Sequence, residues 1–210
     1  MHLAIFGATG RTGRPLIEQA LAEGHTITAL ARTPNTLSPA RDGLTVVRGD
    51  ATDAEAVTRT VEGADAVLMA LGHTKTSSKD VLSRATGHVV RAMKQHGVQR
   101  VITLTGAGVA APNDPPGLAP TIIRAIMRTV TGDLLRDSER HVEILRQSGL
   151  DWTAVRGPRL TEDPATGRYE TGRFAMGFGS SASRADVADY MLRLAQSDSD
   201  GDRMPMIRNT

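Results

Sequence analysis

The sequence predicts an α/β protein built on a doubly wound parallel sheet, with helices on both faces and a small lid. Two observations support this fold class. Short, wholly apolar runs alternate with amphipathic stretches along the chain, which is typical of buried parallel strands connected by helices. The first apolar run is followed by a glycine-rich turn and a helical pattern, as in the first half of a βαβ unit. With 210 residues, we expect one domain over residues 1–210.

Composition excludes several functional classes. The chain has no cysteine, which rules out disulfides, thiolate nucleophiles and cysteine-bound metals. The six histidines have no metal-ligand spacing, and a net charge of +2 with three Phe and two Tyr gives little basis for nucleic-acid binding. No apolar run approaches the ~20 residues of a membrane span, and the N-terminus lacks a signal-peptide pattern. We therefore expect a cytoplasmic protein that binds no nucleic acid, membrane or metal.

The first half of the chain has a regular pattern. Its apolar runs predict strands over 3–6, 26–31, 44–47, 66–71 and 101–105. The amphipathic stretches between them predict helices over 14–23, 52–61 and 83–96. Thr52 and Glu55 are spaced as a capping box at the start of the second helix.

The second half is less regular. It predicts helices over 121–130 and 133–147, a sixth strand over 152–156, a helix ending at 195 and an edge strand over 204–207. Ser183 and Asp186 form a second capping-box pattern. The irregular segments 106–131 and 157–182 follow carboxyl ends of strands, where open α/β sheets bind ligands. We interpret them as a lid with the substrate pocket between them.

The glycine loop that follows the first strand is the most informative stretch. It reads Gly7-Ala8-Thr9-Gly10-Arg11-Thr12-Gly13 and lies between a predicted strand and a predicted helix. Glycines allow a tight turn and close approach of a ligand, and the free N–H groups of the helix start attract a pyrophosphate. In this context the loop predicts a Rossmann-type dinucleotide site.

Residues after the second strand indicate which dinucleotide binds. NAD-specific sites usually have Asp or Glu there for the ribose 2′-hydroxyl, whereas this chain has Arg32 and Thr33. A guanidinium suits a 2′-phosphate, and Arg11 could reach the same group, so we predict NADP(H). The alternative for Arg32 is an ordinary surface residue. Asp50 is placed either to meet the adenine edge or to cap the following helix.

Several motifs together resemble those of a known family. The glycine loop, Ala-Arg-Thr after strand two, Gly-Asp after strand three and Ser-Gly-Leu-Asp-Trp-Thr before Val-Arg-Gly-Pro are similar to those of atypical short-chain dehydrogenases of the NmrA-like type. Within that group the chain most resembles the NADPH-dependent flavin and biliverdin-IXβ reductases, over nearly its whole length. The resemblance implies a monomer that holds NADPH at the following positions: Gly7, Thr9, Gly10, Arg11, Thr12, Gly13, Arg32 and Thr33.

The resemblance also implies where the reaction takes place. Ala70, Leu71, Gly72 and His73 would lie along the nicotinamide ribose, and Thr105 would end strand five beside the nicotinamide. This chain departs from the family at two positions. The serine that follows the family's threonine is Gly106 here, and a pocket histidine is replaced by Arg159. Both departures weigh against bilirubin-type chemistry and leave dinucleotide binding unaffected.

The usual proton donor of short-chain dehydrogenases, Tyr-x-x-x-Lys, is absent, because Tyr169 is followed by Arg173 and Tyr190 by Leu194. Alcohol–ketone interconversion therefore lacks its usual acid. Reduction of a flavin or quinone requires mainly proximity and orientation.

Five residues are candidates for the reaction site. His73 and Thr105 are the catalytic candidates, and His73 is alternatively an ordinary loop histidine. Arg159, Tyr169 and Phe174 are the candidates for binding a planar substrate, with lid packing as the alternative for the two aromatic residues.

These residues favour an NADPH-dependent reductase of a planar acceptor such as a flavin or quinone. An alternative from another class is a redox sensor of the NmrA kind, which binds NADP(H) and regulates a partner without turnover. A third function, isomerisation or epimerisation of a nucleotide sugar, is less favoured because it also requires the tyrosine.

Overall fold

The computed structural model describes residues 1–37, 41–74, 76–112, 114–115, 132–174, 179–197 and 201–210. The strands in these ranges are β1 His2–Phe6, β2 Thr26–Ala31, β3 Leu44–Arg48, β4 Ala66–Met69, β5 Arg100–Gly106, β6 Asp151–Gly157, β7 Arg159–Thr161, β8 Tyr169–Gly172, β9 Ser181–Ser183 and β10 Met206–Asn209. The α-helices are α1 Gly13–Ala22, α2 Ala54–Val61, α3 Val81–His96, α4 Gly132–Arg146 and α5 Arg184–Gln196. A short 3₁₀-helix covers Pro34–Leu37.

The strands form an eight-stranded sheet in the order β3-β2-β1-β4-β5-β6-β10-β8. All neighbours pair in parallel except β8, which is antiparallel to β10. The strand order reverses between β1 and β4, and this topological switch point is where such sheets bind ligands. The predicted doubly wound α/β fold is confirmed.

The core explains why the strands are apolar on both faces. In β1, Leu3 and Ile5 pack in the layer that contains α1 and α5, whereas Ala4 and Phe6 pack in the layer that contains α2, α3 and α4. All four side chains are fully buried. Because helices cover both faces of the sheet, each strand alternates between two apolar layers rather than between core and water.

The start of α2 differs from the predicted capping box. Asp53 is the N-cap, and its carboxylate accepts hydrogen bonds from the backbone N–H groups of Glu55 and Ala56 at 3.0 and 3.4 Å. Thr52 instead donates its hydroxyl and backbone N–H to Asp50 at 2.7 and 2.9 Å. A carboxylate one position further along thus caps this helix, because Thr52 is already engaged by Asp50.

The start of α5 follows half of its predicted pattern. Ser183 is the N-cap and accepts from the backbone N–H of Asp186 at 3.1 Å. The Asp186 side chain does not return to Ser183, because it accepts from Thr166, Gly167 and Asn209. Asp186 therefore fastens the segment after β7 to α5.

The second irregular segment contains more order than expected. It forms β7, β8 and β9, of which β7 and β9 make a separate parallel pair. The last strand, predicted to be an edge, is covered by β8. Strand β4 ends at Met69 rather than at Leu71. The predicted helix over 121–130 lies outside the described residues.

Candidate functional site

The glycine loop follows β1 at the switch point and is closely packed. A Cβ on Gly7, whose φ is +80°, would lie 2.5 Å from the carbonyl oxygen of Ala70. A Cβ on Gly13 would lie 2.1 Å from the carbonyl oxygen of Gly7. The Gly10 N–H donates to that same oxygen at 2.9 Å. Only glycine fits at Gly7 and Gly13, and the chain can therefore turn directly into α1.

The start of α1 can attract an anion through the helix dipole. Its N-cap residue Thr12 makes no side-chain capping bond. Of the first helical residues, Arg14 already donates its backbone N–H to the carbonyl oxygen of Gly10 at 3.0 Å, and Pro15 has no N–H. The positive end of the helix dipole still favours a negatively charged group beside the loop.

A first cavity of about 380 Å³ extends from this loop over the ends of β2 and β3. Its described lining residues include Gly7, Thr9, Gly10, Arg32, Asp50, Ala70, Leu71, Gly72 and Arg84. The cavity brings together residues that are far apart in sequence because parallel strands end at the same edge of the sheet. Thr33 does not line it; its carbonyl oxygen accepts from Thr36 in the 3₁₀-helix.

Charge in the first cavity is mixed. Hydrogen bonds from the Thr52 hydroxyl and backbone lower the pKa of Asp50, and the positive charges of Arg32 and Arg84 act in the same direction. Asp50 is therefore an anionic acceptor between two guanidinium groups. An acceptor of this kind can bind an exocyclic amine, and an arginine can bind a phosphate.

A second cavity of about 500 Å³ lies on the other side of the loop, over the ends of β4, β5 and β6. Its described lining residues include Thr9, Gly10, Arg11, Thr12, Ala70, Leu71, Gly72, His73, Thr105, Gly106, Gly157, Leu160 and Arg184. The residues Thr9, Gly10, Ala70, Leu71, Gly72 and Thr74 line both cavities. The two spaces therefore share one wall, formed by the glycine loop and the end of β4.

Thr105 lies in the wall of the second cavity. The residue is 6% exposed, and its hydroxyl has no hydrogen-bond partner among the described residues. A buried hydroxyl without a partner is costly, which favours a ligand group at this place. Beside it, Gly106 is exposed, and a Cβ on this residue would meet no atom within 4 Å.

His73 reaches the same cavity from the loop after β4. Its Nε2 lies 2.9 Å from the carboxylate of Asp137 on α4. Asp137 also accepts from the backbone N–H groups of Leu82 and Ser83 at 2.9 and 3.1 Å. The predicted loop histidine is thus fixed to a buried carboxylate.

Two arginines, one in the glycine loop and one at the start of α5, meet at the edge of the second cavity. Arg184, at the start of α5, lies 2.8 Å from the carboxylate of Glu162, and Arg11 lies 3.2 Å from the same oxygen. The Arg184 guanidinium is also 3.5 Å from the hydroxyl of Thr12. An acidic side chain therefore lies between two cations beside the start of α1.

A buried ion pair holds the loop that follows β5. Arg156 of β6 is fully buried and contacts both carboxylate oxygens of Asp114 at 2.7 and 2.8 Å. It also donates to the carbonyl oxygens of Val109 and Met204. The loop after β5 is therefore fastened to the next strand of the sheet.

The structure does not bring the three predicted substrate residues to either cavity among the described parts of the chain. Arg159 is exposed on β7. Tyr169 lies on β8 at the sheet edge, where its hydroxyl donates to Asp189. Burial and this hydrogen bond raise the pKa of Tyr169. The ring of Phe174 stacks 4.3 Å from the guanidinium carbon of Arg208.

Four residues near the cavities were not expected from the sequence. Arg84, Asp137, Glu162 and Arg184 lie on helices or in the lid, far in sequence from the glycine loop. The only sequence signal for them is position: Arg84 is in the first turn of a helix that follows β4, and Arg184 follows a helix N-cap.

The described residues contain no group of three or more His, Asp or Glu side chains placed to bind a metal ion. Among the same residues, none of the helices has both the length and the apolar character needed to cross a bilayer.

Comparisons with known proteins place the chain in a family. In sequence it is 32% identical over 130 residues to a 3-diazoavenalumate denitrifying reductase from Streptomyces, which is 56% of this chain and 42% of the relative. It is also 27% identical over 106 residues to the photosystem II assembly factor Ycf39 from Synechocystis. That match covers 49% of this chain and 32% of Ycf39. The matches thus span less than half the length of these curated relatives.

Solved structures share the fold over the whole chain. ChuY from Escherichia coli, described as an anaerobillin reductase, has a TM-score of 0.83 at 23% identity, and the match covers 100% of this chain and 97% of ChuY. A short-chain dehydrogenase/reductase from Veillonella parvula in complex with NADP has a TM-score of 0.81 at 19% identity, over 99% and 94% of the chains. A family model described as NAD(P)H-binding matches residues 7–198. The chain belongs to this NAD(P)H-binding family.

Proposed function

We propose that the protein is an NADPH-dependent reductase of the NmrA-like atypical short-chain dehydrogenase type, which transfers hydride to a planar acceptor such as a flavin or quinone. The observation that carries the proposal is the shared wall of the two cavities. A dinucleotide extended along it would have its adenosine half in the first cavity and its nicotinamide half in the second. The proposal takes the protein to be a cytoplasmic monomer.

The glycine loop fits the pyrophosphate of such a dinucleotide. Positions Gly7 and Gly13 have no room for a side chain, and the positive end of the α1 dipole lies beside them. Arg32 supports NADP(H) over NAD(H), because it lines the first cavity and a guanidinium binds a 2′-phosphate well. Asp50 would accept from the adenine amine.

The second cavity suits reduction of a flat molecule. Bound reduced nicotinamide supplies the hydride. Thr105 offers an unpartnered hydroxyl that would hold the nicotinamide, and Gly106 leaves space beside it, where a Cβ would meet no atom within 4 Å. Leu104 and Leu160 add apolar surface to this part of the wall. The site thereby contributes an apolar surface and orientation of the reactants, and proximity and orientation are the main requirements of hydride transfer.

The tyrosines give no support to alcohol–ketone chemistry. Tyr169 is engaged with Asp189, and its ring packs against Tyr190 with centroids 5.9 Å apart. Neither tyrosine lines the cavities among the described residues. A proton donor must lie within hydrogen-bond reach of the reacting oxygen, and a tyrosine outside both cavities does not meet this requirement.

The proposal is tested by NADPH oxidation with FMN, riboflavin and simple quinones as acceptors. We expect oxidation stimulated by at least one of these planar compounds, and slower oxidation of NADH. If no acceptor stimulates oxidation while NADP binds at micromolar concentration, the protein is a sensor of the NmrA kind. Failure to bind either dinucleotide would contradict both functions.

A further inference from the structure

The contact between His73 and Asp137 joins two parts of the chain that are 64 residues apart. His73 belongs to the loop that follows β4 and lines the second cavity. Asp137 belongs to α4, and its side chain is 3% exposed. The imidazole itself is 13% exposed. One end of this pair is therefore buried, and the other faces the cavity in which we place the acceptor.

The Asp137 carboxylate is an acceptor at the start of a helix. It accepts from two backbone N–H groups, those of Leu82 and Ser83, at the start of α3, where the helix dipole favours a negative charge. An ionised carboxylate only accepts hydrogen bonds. The third bond therefore comes from Nε2–H of His73, which leaves Nδ1 as the nitrogen available to a ligand.

Other titratable groups on the neighbouring elements leave this arrangement intact. On α4, His141 lies one turn from Asp137, and burial lowers its pKa to about 4, so it is neutral. Lys79 pairs with Asp133. Further charged groups are Asp80 and Arg84 on or next to α3, Arg136 and Arg140 on α4, and Arg11 and Arg184 across the cavity.

We propose that His73 is the proton donor for the acceptor and that Asp137 is its positioning residue. This inference rests on the proposed reductase function. A histidine held through one nitrogen by a buried carboxylate presents its other nitrogen in a fixed direction. The alternative is that the contact between His73 and Asp137 only fastens the loop to α4. That role would not require the histidine to face the cavity.

The reaction balances with one proton from this residue. A quinone gains a hydride, two electrons and one proton, from the bound reduced dinucleotide, which is thereby oxidised. Nδ1–H of the His73 imidazolium gives the quinone its second proton, so that the hydroquinone forms. The neutral imidazole then takes a proton from water. A flavin that gains hydride alone is already a stable reduced anion, and it needs no proton from the protein.

The first test compares acceptors in His73→Gln. We expect quinone reduction to fall by about 100-fold, the lower range of general acid catalysis, with flavin reduction and NADPH affinity nearly unchanged. A role in fastening the loop would lower both reactions or weaken NADPH, and either result would overturn the inference. The control is His96→Gln at the end of α3, which should behave as wild type.

The second test concerns Asp137. In Asp137→Asn the imidazole loses the carboxylate that orients it, so quinone reduction should fall while flavin reduction and NADPH affinity are retained. Nitrogen NMR of the protein without dinucleotide should show the Nε2–H tautomer of His73 in wild type and a tautomer mixture in the variant. The signal missing in His73→Gln identifies the residue. If Asp137→Asn does not fold, the reaction rates of His73→Gln and the tautomer of His73 in wild type still show whether His73 is the proton donor.

The outcomes separate this inference from the proposed function. If wild type reduces quinones and His73→Gln reduces them equally well, the reductase stands and the proton donor is wrong. If none of the acceptors stimulates NADPH oxidation by the wild-type protein, both the reductase function and the proton donor are wrong. An Nδ1–H tautomer in wild type would also contradict the inference.

Discussion

Gly106 and Gly157 lie side by side in register at the ends of β5 and β6, but only one of them has space for a side chain. A Cβ on Gly106 would meet no atom within 4 Å, whereas a Cβ on Gly157 would lie 2.8 Å from Cδ2 of Leu160. The backbone N–H of Ala107 donates to the Gly157 carbonyl oxygen at 2.8 Å, so neither strand end can shift freely.

The first prediction concerns serine at these two positions. Gly106→Ser should change the free energy of unfolding by no more than ~0.5 kcal/mol and add a hydroxyl to the second cavity, which changes the KM for the acceptor but not the affinity for NADPH. Gly157→Ser should cost about 1 kcal/mol or more, because Leu160 must turn away. Urea denaturation and steady-state kinetics measure both. Equal stability of the two variants would contradict the difference in space.

The second prediction concerns the choice of dinucleotide. Arg32→Ala should weaken NADPH binding by about 10- to 100-fold, the loss of a charged hydrogen bond of about 1.5–3 kcal/mol, and should leave NADH binding nearly unchanged. Isothermal titration with both dinucleotides measures this. Arg159→Ala is the matched control, because that arginine is exposed and lies outside both cavities. An equal loss for NADPH and NADH would remove Arg32 from the 2′-phosphate.

The third prediction concerns the acidic residue beside the glycine loop. Glu162 attracts Arg11 and Arg184 and competes with a pyrophosphate for them. Glu162→Gln should therefore tighten NADPH binding by about 2- to 5-fold at low salt, corresponding to roughly 0.5–1 kcal/mol, with little effect at high salt. Glu170→Gln, which removes an ion pair with Arg208 at the sheet edge, should have no effect. Weaker binding in Glu162→Gln would mean that the carboxylate holds the arginines for the ligand.

The fourth prediction concerns acid stability. His141 is 1% exposed, and burial lowers its pKa from 6.5 to about 4. Between these values the unfolded chain binds a proton that the folded protein does not, so the free energy of unfolding falls as the pH drops from about 6.5 to about 4. The loss is about 3 kcal/mol at 1.36 kcal/mol per pKa unit. Below pH 4 this contribution changes no further.

His141→Leu should remove that slope. The hydroxyls that contact the imidazole, those of Thr86 and Thr103, also lie 2.6 and 3.3 Å from the carbonyl oxygens of Leu82 and Met69, so both keep an acceptor in the variant. Denaturation curves at a series of pH values compare the two proteins. The same slope in both would show that other groups cause the acid sensitivity.

The parts of the site that the sequence predicted are those that depend on local geometry. The glycine loop was recognisable because strand, turn and helix follow one another within a few residues. Arg32 and Asp50 line the first cavity because each directly follows a strand of a parallel sheet, and such strands end at one edge.

The parts that the sequence did not predict depend on contacts between distant segments. Asp137 meets His73 only because α4 packs beside the start of α3. Tyr169, expected to bind substrate because its segment was interpreted as a lid, does not line either described cavity. The segment instead pairs with β10 as an antiparallel strand, and no local sequence pattern predicts that pairing.

The shared wall of the two cavities has a kinetic consequence. Because the glycine loop and the end of β4 line both, a dinucleotide bound along them would complete the surface on which the acceptor rests. The acceptor then gains its full binding surface only after NADPH has bound, and the oxidised dinucleotide leaves last. We expect a compulsory order of addition, with NADP⁺ inhibiting competitively against NADPH and the reduced acceptor inhibiting in a different pattern.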